Sequence, residues 1–240
     1  MSAEAVGAAR GVPSSRPEPL LVAVLFGLTA VTGLVDAVSF LALGRVFTAN
    51  MTGNVVFLGF AAAGVQGLSA IRSTAALVAF LAGAVLGGCM AARLQPGPLH
   101  RWTGAAFALE AVLLFAAAAA AVGGGSELTN AAPRLAVIAL TGLAMGVRNA
   151  TVRKLAVPDL TTTVLTLTIT GLGSESHLAG GTSPNRARRV SSVVTMLAGA
   201  AIGAGLLAHS VALVLAVGCA TSGACAAFAY FGLPRAAEPA

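Results

Sequence analysis

The run Leu81-Ala82-Gly83-Ala84-Val85-Leu86-Gly87 lies inside an apolar stretch, 74–94. Its counterpart 116 residues later, Leu197-Ala198-Gly199-Ala200-Ala201-Ile202-Gly203, matches it at five of seven positions. At 1.5 Å per residue, about 20 apolar residues in a helix cross a hydrocarbon core of roughly 30 Å. Glycines four apart, Gly83/Gly87 and Gly199/Gly203, let two helix backbones approach closely where lipid surrounds them. The stretch therefore predicts a membrane-spanning helix with a small-residue packing face, and its recurrence predicts that the fold is built twice.

Two further matches run in the same order. At offset 113, Gly33-Leu34-Val35-Asp36-Ala37 faces Gly146-Val147-Arg148-Asn149-Ala150. At offset 114, Thr48, Thr52, Leu58 and Gly59 face Thr162, Thr166, Leu172 and Gly173. The offset drifts by a few residues, as loop insertions produce. The organisation that follows is a disordered polar tail (1–19), a first transmembrane repeat (20–122), a Gly-rich linker (123–134), a second repeat (135–232) and a short C-terminal tail (233–240).

Composition agrees. Of 240 residues, 57% are hydrophobic and only 9% charged, against about 25% charged in a soluble domain. The net charge of +6 comes from basic residues lying mostly between apolar segments, the pattern of topology signals and not of a nucleic-acid surface. The class is an all-α polytopic transmembrane bundle whose first partner is the lipid bilayer. Apolar runs at 20–44, 47–65, 74–94, 103–122, 135–157, 160–173, 190–209 and 211–231 predict eight spans. The second and sixth begin with polar runs, and without them the count is six. With four spans each the halves point the same way; with three they are inverted. On the eight-span count, eight Lys and Arg flank the N-terminal side and six the other, which predicts a cell-membrane protein with both termini cytoplasmic.

Few residues carry candidate chemistry. Asp36 lies well inside the first span, where a carboxylate costs several kcal/mol unless paired or hydrated. Its match in the second half is Asn149, with Arg148, Arg153 and Lys154 nearby, which suggests an ion pair between the halves. Arg153 and Lys154 also suit a helix end from which they snorkel to the surface. Asn50 and Asn54 are four apart and would share a helix face beside that of Thr48 and Thr52, and Thr162, Thr166 and Thr170 form a stripe at the same spacing. Amides left unpaired in lipid are costly, so these faces should look inward, either lining a polar site or joining helices. Glu110 has no counterpart in the second half; a proton relay or a partner such as Arg101 or Trp102 is open to it. Cys89, Cys219 and Cys225 lie in apolar runs as packing residues, and His100, His177 and His209 are too scattered for a metal cluster. HExxH, GxSxG, Walker and CxxC motifs are absent, so neither an enzyme nor a cofactor is expected.

The run Gly33 to Phe40 followed by Val46 to Asn54 resembles the signature of the YoaK family of bacterial membrane proteins. The segments Gly146–Thr151 and Thr161–Thr166 resemble its second-half motif. Such proteins tend to carry an amide where this chain has Arg148. The resemblance implies a bacterial cytoplasmic-membrane protein and supplies no substrate. From the residues, the expected function is a small secondary transporter of a small molecule or ion. Its site would lie between the halves at Asp36, Asn50, Thr52, Asn54, Arg148, Asn149, Thr162 and Thr166. The alternative is a membrane scaffold or assembly protein in which the same residues are packing glue.

Overall fold

The computed structural model describes residues 19–94, 98–124, 130–158, 160, 162–163 and 165–233. The expected tails, apart from Pro19 and Leu233, and the middle of the linker lie outside the described residues. Eight α-helices are present among those described: α1 (Pro19–Leu41), α2 (Met51–Ala62), α3 (Ala70–Leu94), α4 (Leu99–Gly123), α5 (Ala131–Leu155), α6 (Leu165–Ser174), α7 (Arg186–Leu206) and α8 (Val211–Gly232).

Six of them, all but α2 and α6, are long and apolar enough to cross a membrane, at 21 to 25 residues each. The 12 residues of α2 and the 10 of α6 extend roughly 18 and 15 Å, well short of a bilayer core. The eight-span expectation is thereby corrected to its six-span alternative, and the cause is local. After α1 the chain turns through Gly44 (φ +92°) and Arg45 (φ +59°), both left-handed. The Asn54 side chain then holds the backbone of Phe47, accepting its N–H at 2.9 Å and donating to its carbonyl. Residues 47–50, expected to be helical, are thus tied in an irregular strap, and α2 starts only at Met51. In the second half α5 ends at Ala156 (φ +49°) and Thr162 is left-handed (φ +59°), so α6 starts only at Leu165.

Close glycine contacts fix how the long helices run. A Cβ on Gly199 would strike the Ala30 carbonyl, and one on Gly203 would strike Leu34 and Ala37, so α1 and α7 ascend together. A Cβ on Gly83 would strike the Leu143 carbonyl, and one on Gly87 would meet Val147 and Ala150, so α3 and α5 are also parallel. Every contact in the first set maps onto the second through the 113- and 116-residue offsets: Ala30 to Leu143, Leu34 to Val147, Ala37 to Ala150, Gly199 to Gly83 and Gly203 to Gly87. By contrast α8 lies antiparallel to α1 and α4, with Leu20 at Gly232, Val31 at Gly218 and Tyr230 at Gly104.

Taken together, α1, α3 and α4 run up, down, up, and α5, α7 and α8 run down, up, down. The halves have opposite sense. The connection bearing α2 lies at one end of the bundle. The connection bearing α6 lies at the other, together with the start of α1 and the end of α8. Burial sorts the long helices into three pairs. Over the most apolar 18-residue window, α1 is 67% and α5 61% buried, α4 and α8 are 39% each, and α3 and α7 are 22% each. The inner pair α1 and α5 is the most deeply buried, α4 and α8 complete the core, and α3 and α7 offer their apolar flanks to lipid.

Candidate functional site

Arg148 on α5 and Glu110 on α4 are both fully buried. Arg148 Nε donates to Glu110 Oε2 at 2.8 Å, and its Nη2 pairs with Oε1. Nη1 donates to the Leu28 carbonyl at 2.6 Å and to Thr32 Oγ1 at 2.7 Å, both on α1. Ser222 on α8 donates to Glu110 Oε1 at 2.5 Å. One bidentate, charge-assisted pair therefore ties four helices at mid-depth. A buried pair with satisfied bonds tolerates the interior, whereas removing one partner strands a charge at a cost of about 3–5 kcal/mol.

This pairing differs from the expected one. An ion pair was expected between Asp36 and the Arg148, Arg153 and Lys154 group, and a partner such as Arg101 or Trp102 for Glu110; instead Glu110 takes the Arg148 charge. The signal was available in the sequence. Glu110 and Arg148 are the ionisable residues deepest within two spans joined by a short linker, and an antiparallel hairpin brings them to one level. Arg153 and Lys154 are exposed in the last turn of α5, as residues that snorkel should be.

Asp36 sits one helical turn beyond Thr32, on the same face of α1. Its Oδ1 is buried with no hydrogen-bond partner, and it forms no ion pair among the described residues. The strap after α1 adds a second orphan: Thr48 is wholly buried and its Oγ1 has no partner. In the second half Asn149, the counterpart of Asp36, is satisfied. Its Nδ2 donates to the Met145 carbonyl at 2.7 Å, and its Oδ1 accepts from the Thr163 hydroxyl at 2.5 Å. Thr162, the counterpart of Thr48, is buried with an unpartnered Oγ1.

The remaining expected residues separate. Asn50 is exposed at the N-cap of α2 and makes no capping bond, whereas Asn54 is fully buried. They share no face because the helix begins after Asn50. Thr52 is exposed on α2. The threonine stripe divides too: Thr162 precedes α6 and is buried, Thr166 and Thr170 are exposed, and the inward residue of that helix is Thr168. Of the expected set, then, Asn54, Arg148 and Thr162 are buried, Asp36 buries one carboxylate oxygen, and Asn149 is half-buried. Beside the α2 strap lies a surface cavity of about 350 Å³ lined by Phe40, Arg45, Phe57, Phe60, Val65, Gln66 and Leu68. No group of three His, Cys, Asp or Glu suited to a metal occurs among the described residues.

Comparison with known proteins accords with this picture. Residues 24–228 match a family described as "Protein of unknown function (DUF1275)". A curated relative, the UPF0700 transmembrane protein YoaK of Bacillus subtilis, is 34% identical over 148 residues, which is 62% of this chain and 63% of the relative. The matched region thus spans somewhat less than two thirds of that relative's length. No solved structure matches.

Proposed function

We propose a transport function for this chain, which belongs to the DUF1275 family of the preceding comparison and is an integral multi-pass membrane protein. In this reading the halves are inverted repeats, and the protein is a small secondary transporter that opens to one side of the membrane and then the other. The observation that carries it is the interlocked, opposite-sense packing of the halves, in which each first helix lies along the third helix of the other half through equivalent glycines. Transporters built from inverted repeats place broken helices and mid-membrane polar groups at the repeat interface. Here each half breaks into a short helix at its own end, next to a buried, unpartnered threonine.

Topology supports an assignment of sides. At the α6 end lie Arg93, Arg101, Arg153, Lys154, Arg186, Arg188 and Arg189; at the α2 end lie Arg45, Arg72 and Arg134. The seven-to-three bias favours a cytoplasmic α6 end in a cell membrane, with both termini on that side.

The fully satisfied Glu110–Arg148 pair favours a second reading, a rigid scaffold that transports nothing. Accessibility separates the two. In a chain with its three cysteines replaced by alanine, Thr48→Cys and Thr162→Cys are labelled with a membrane-impermeant maleimide in vesicles of each orientation. Alternating access predicts that each reacts from its own side, and that cross-linking one end closed raises labelling at the other. Both cysteines staying inert from both sides overturns the transport reading in favour of the scaffold.

A further inference from the structure

We propose that Asp36 and Thr48 form a binding site for one small, hard monovalent cation of sodium size, in the first half only. The inference deepens the transport reading and rests on it for its use, although binding itself can be measured without transport.

Charge balance comes first. Arg148 directs all its described bonds to Glu110, Thr32 and the Leu28 carbonyl, and none to Asp36. With Asp36 ionised, the centre holds two carboxylates and one guanidinium. A monovalent cation neutralises the remaining charge, whereas a divalent one would overshoot it. Oxygen is the donor available, from a carboxylate, a hydroxyl and the irregular backbone of the strap, and oxygen donors suit hard cations.

Comparison of the halves locates the site. In the second half the Asn149 side chain reaches Thr163 across the turn after α5. The same offsets put Ala49 opposite Asp36 in the first half, and alanine has no hydroxyl to donate. The backbone agrees: the Val46 N–H bonds back to the Ser39 carbonyl, so the strap returns alongside the last turns of α1. Thr48, next to Ala49, is buried with its oxygen unused, as is Asp36 Oδ1. A buried acceptor ordinarily has a partner. Here two oxygens without partners belong to segments that pack together, at the point where the second half closes an ordinary hydrogen bond. A cation satisfies both oxygens at once.

The test is thermal unfolding of the purified full-length chain in detergent at fixed pH, with sodium chloride exchanged for choline chloride at constant ionic strength. The midpoint should climb with the logarithm of sodium concentration, reaching roughly 5–10 °C at about a hundredfold excess over Kd. Potassium should do markedly less. Thr48→Val should lower the apparent sodium affinity about tenfold or more without lowering the sodium-free midpoint. The double change Asp36→Asn with Ala49→Thr copies the second half and should fold with no sodium response. A wild-type midpoint indifferent to sodium, or one that moves with pH alone, overturns the site. Sodium binding without alternating access at Thr48 and Thr162 would keep the site and remove the transport reading. Alternating access without a sodium response would do the reverse.

Discussion

The connections after α1 and after α5 are built alike and finished differently. Each passes through a left-handed residue, each buries a threonine whose hydroxyl finds no partner, and each lays down a helix too short to cross a membrane. They differ where the long helix faces the strap, by one atom on the helix side chain and one hydroxyl opposite it. Asn149 faces Thr163 and closes a hydrogen bond, whereas Asp36 is a carboxylate opposite an alanine position. A satisfied amide–hydroxyl pair holds a turn shut. A carboxylate in the same place needs something brought to it.

The comparison can be broken at its common support. The Glu110–Arg148 pair ties α1 and α5, the helices from which the two connections leave, so Glu110→Ala should have the largest effect, about 3–5 kcal/mol, by stranding a buried guanidinium. It should appear as a large fall in the detergent melting temperature. Removing both charges, as Glu110→Leu with Arg148→Met, should recover most of that loss, and a failure to recover would mean that the pair does more than balance its own charges. Next in size, Gly83→Val and Gly199→Val should each cost about 1–3 kcal/mol by pushing a side chain into a facing backbone carbonyl. The sharper expectation is that the two losses agree within about 1 kcal/mol; clearly unequal losses would undo the equivalence of the halves. The smallest expected effect is the most discriminating. Thr163→Val should cost about 1–2 kcal/mol because it deprives Asn149 of its donor. In sodium-free buffer Thr48→Val should cost nothing, since the hydroxyl it removes is unpaired. Equal losses at the two threonines would show that the first half hides a bond like that of the second.

Most of the fold was legible because long apolar runs and glycines four apart are direct consequences of lipid surroundings. The span count was not. Whether 47–65 crosses depends on Gly44 and Arg45 adopting positive φ and on Asn54 holding Phe47, which are tertiary facts behind an unremarkable hydropathy profile. The candidate site was half legible. Buried polar residues in a membrane protein announce themselves, so Asp36, Arg148, Asn149 and Asn54 stood out. Their pairing did not, because Glu110 has no counterpart in the second half and was weighed against nearby residues in sequence and not against the adjacent span. The inward face expected of Asn50 and Thr52 is absent for a simpler reason: periodicity assigns a face only where a helix exists, and α2 starts after Asn50 and turns Thr52 outward.

The parallel contact of α1 with α7 has a consequence for how the chain is made. Gly33 meets Met196, Gly199 and Ala200, so the face that seats the first span belongs to a helix synthesised more than 160 residues later. At translation rates of about 5–20 residues per second, α1 waits on the order of 10–30 s in the bilayer before its neighbour exists. During that interval its glycine face has nothing of its own chain to rest against. The second half has no such delay, because α3 is already in place when α5 emerges. The symmetry of the finished bundle therefore conceals an asymmetry in time. Of the two parallel pairs, α1 with α7 is the one that closes later.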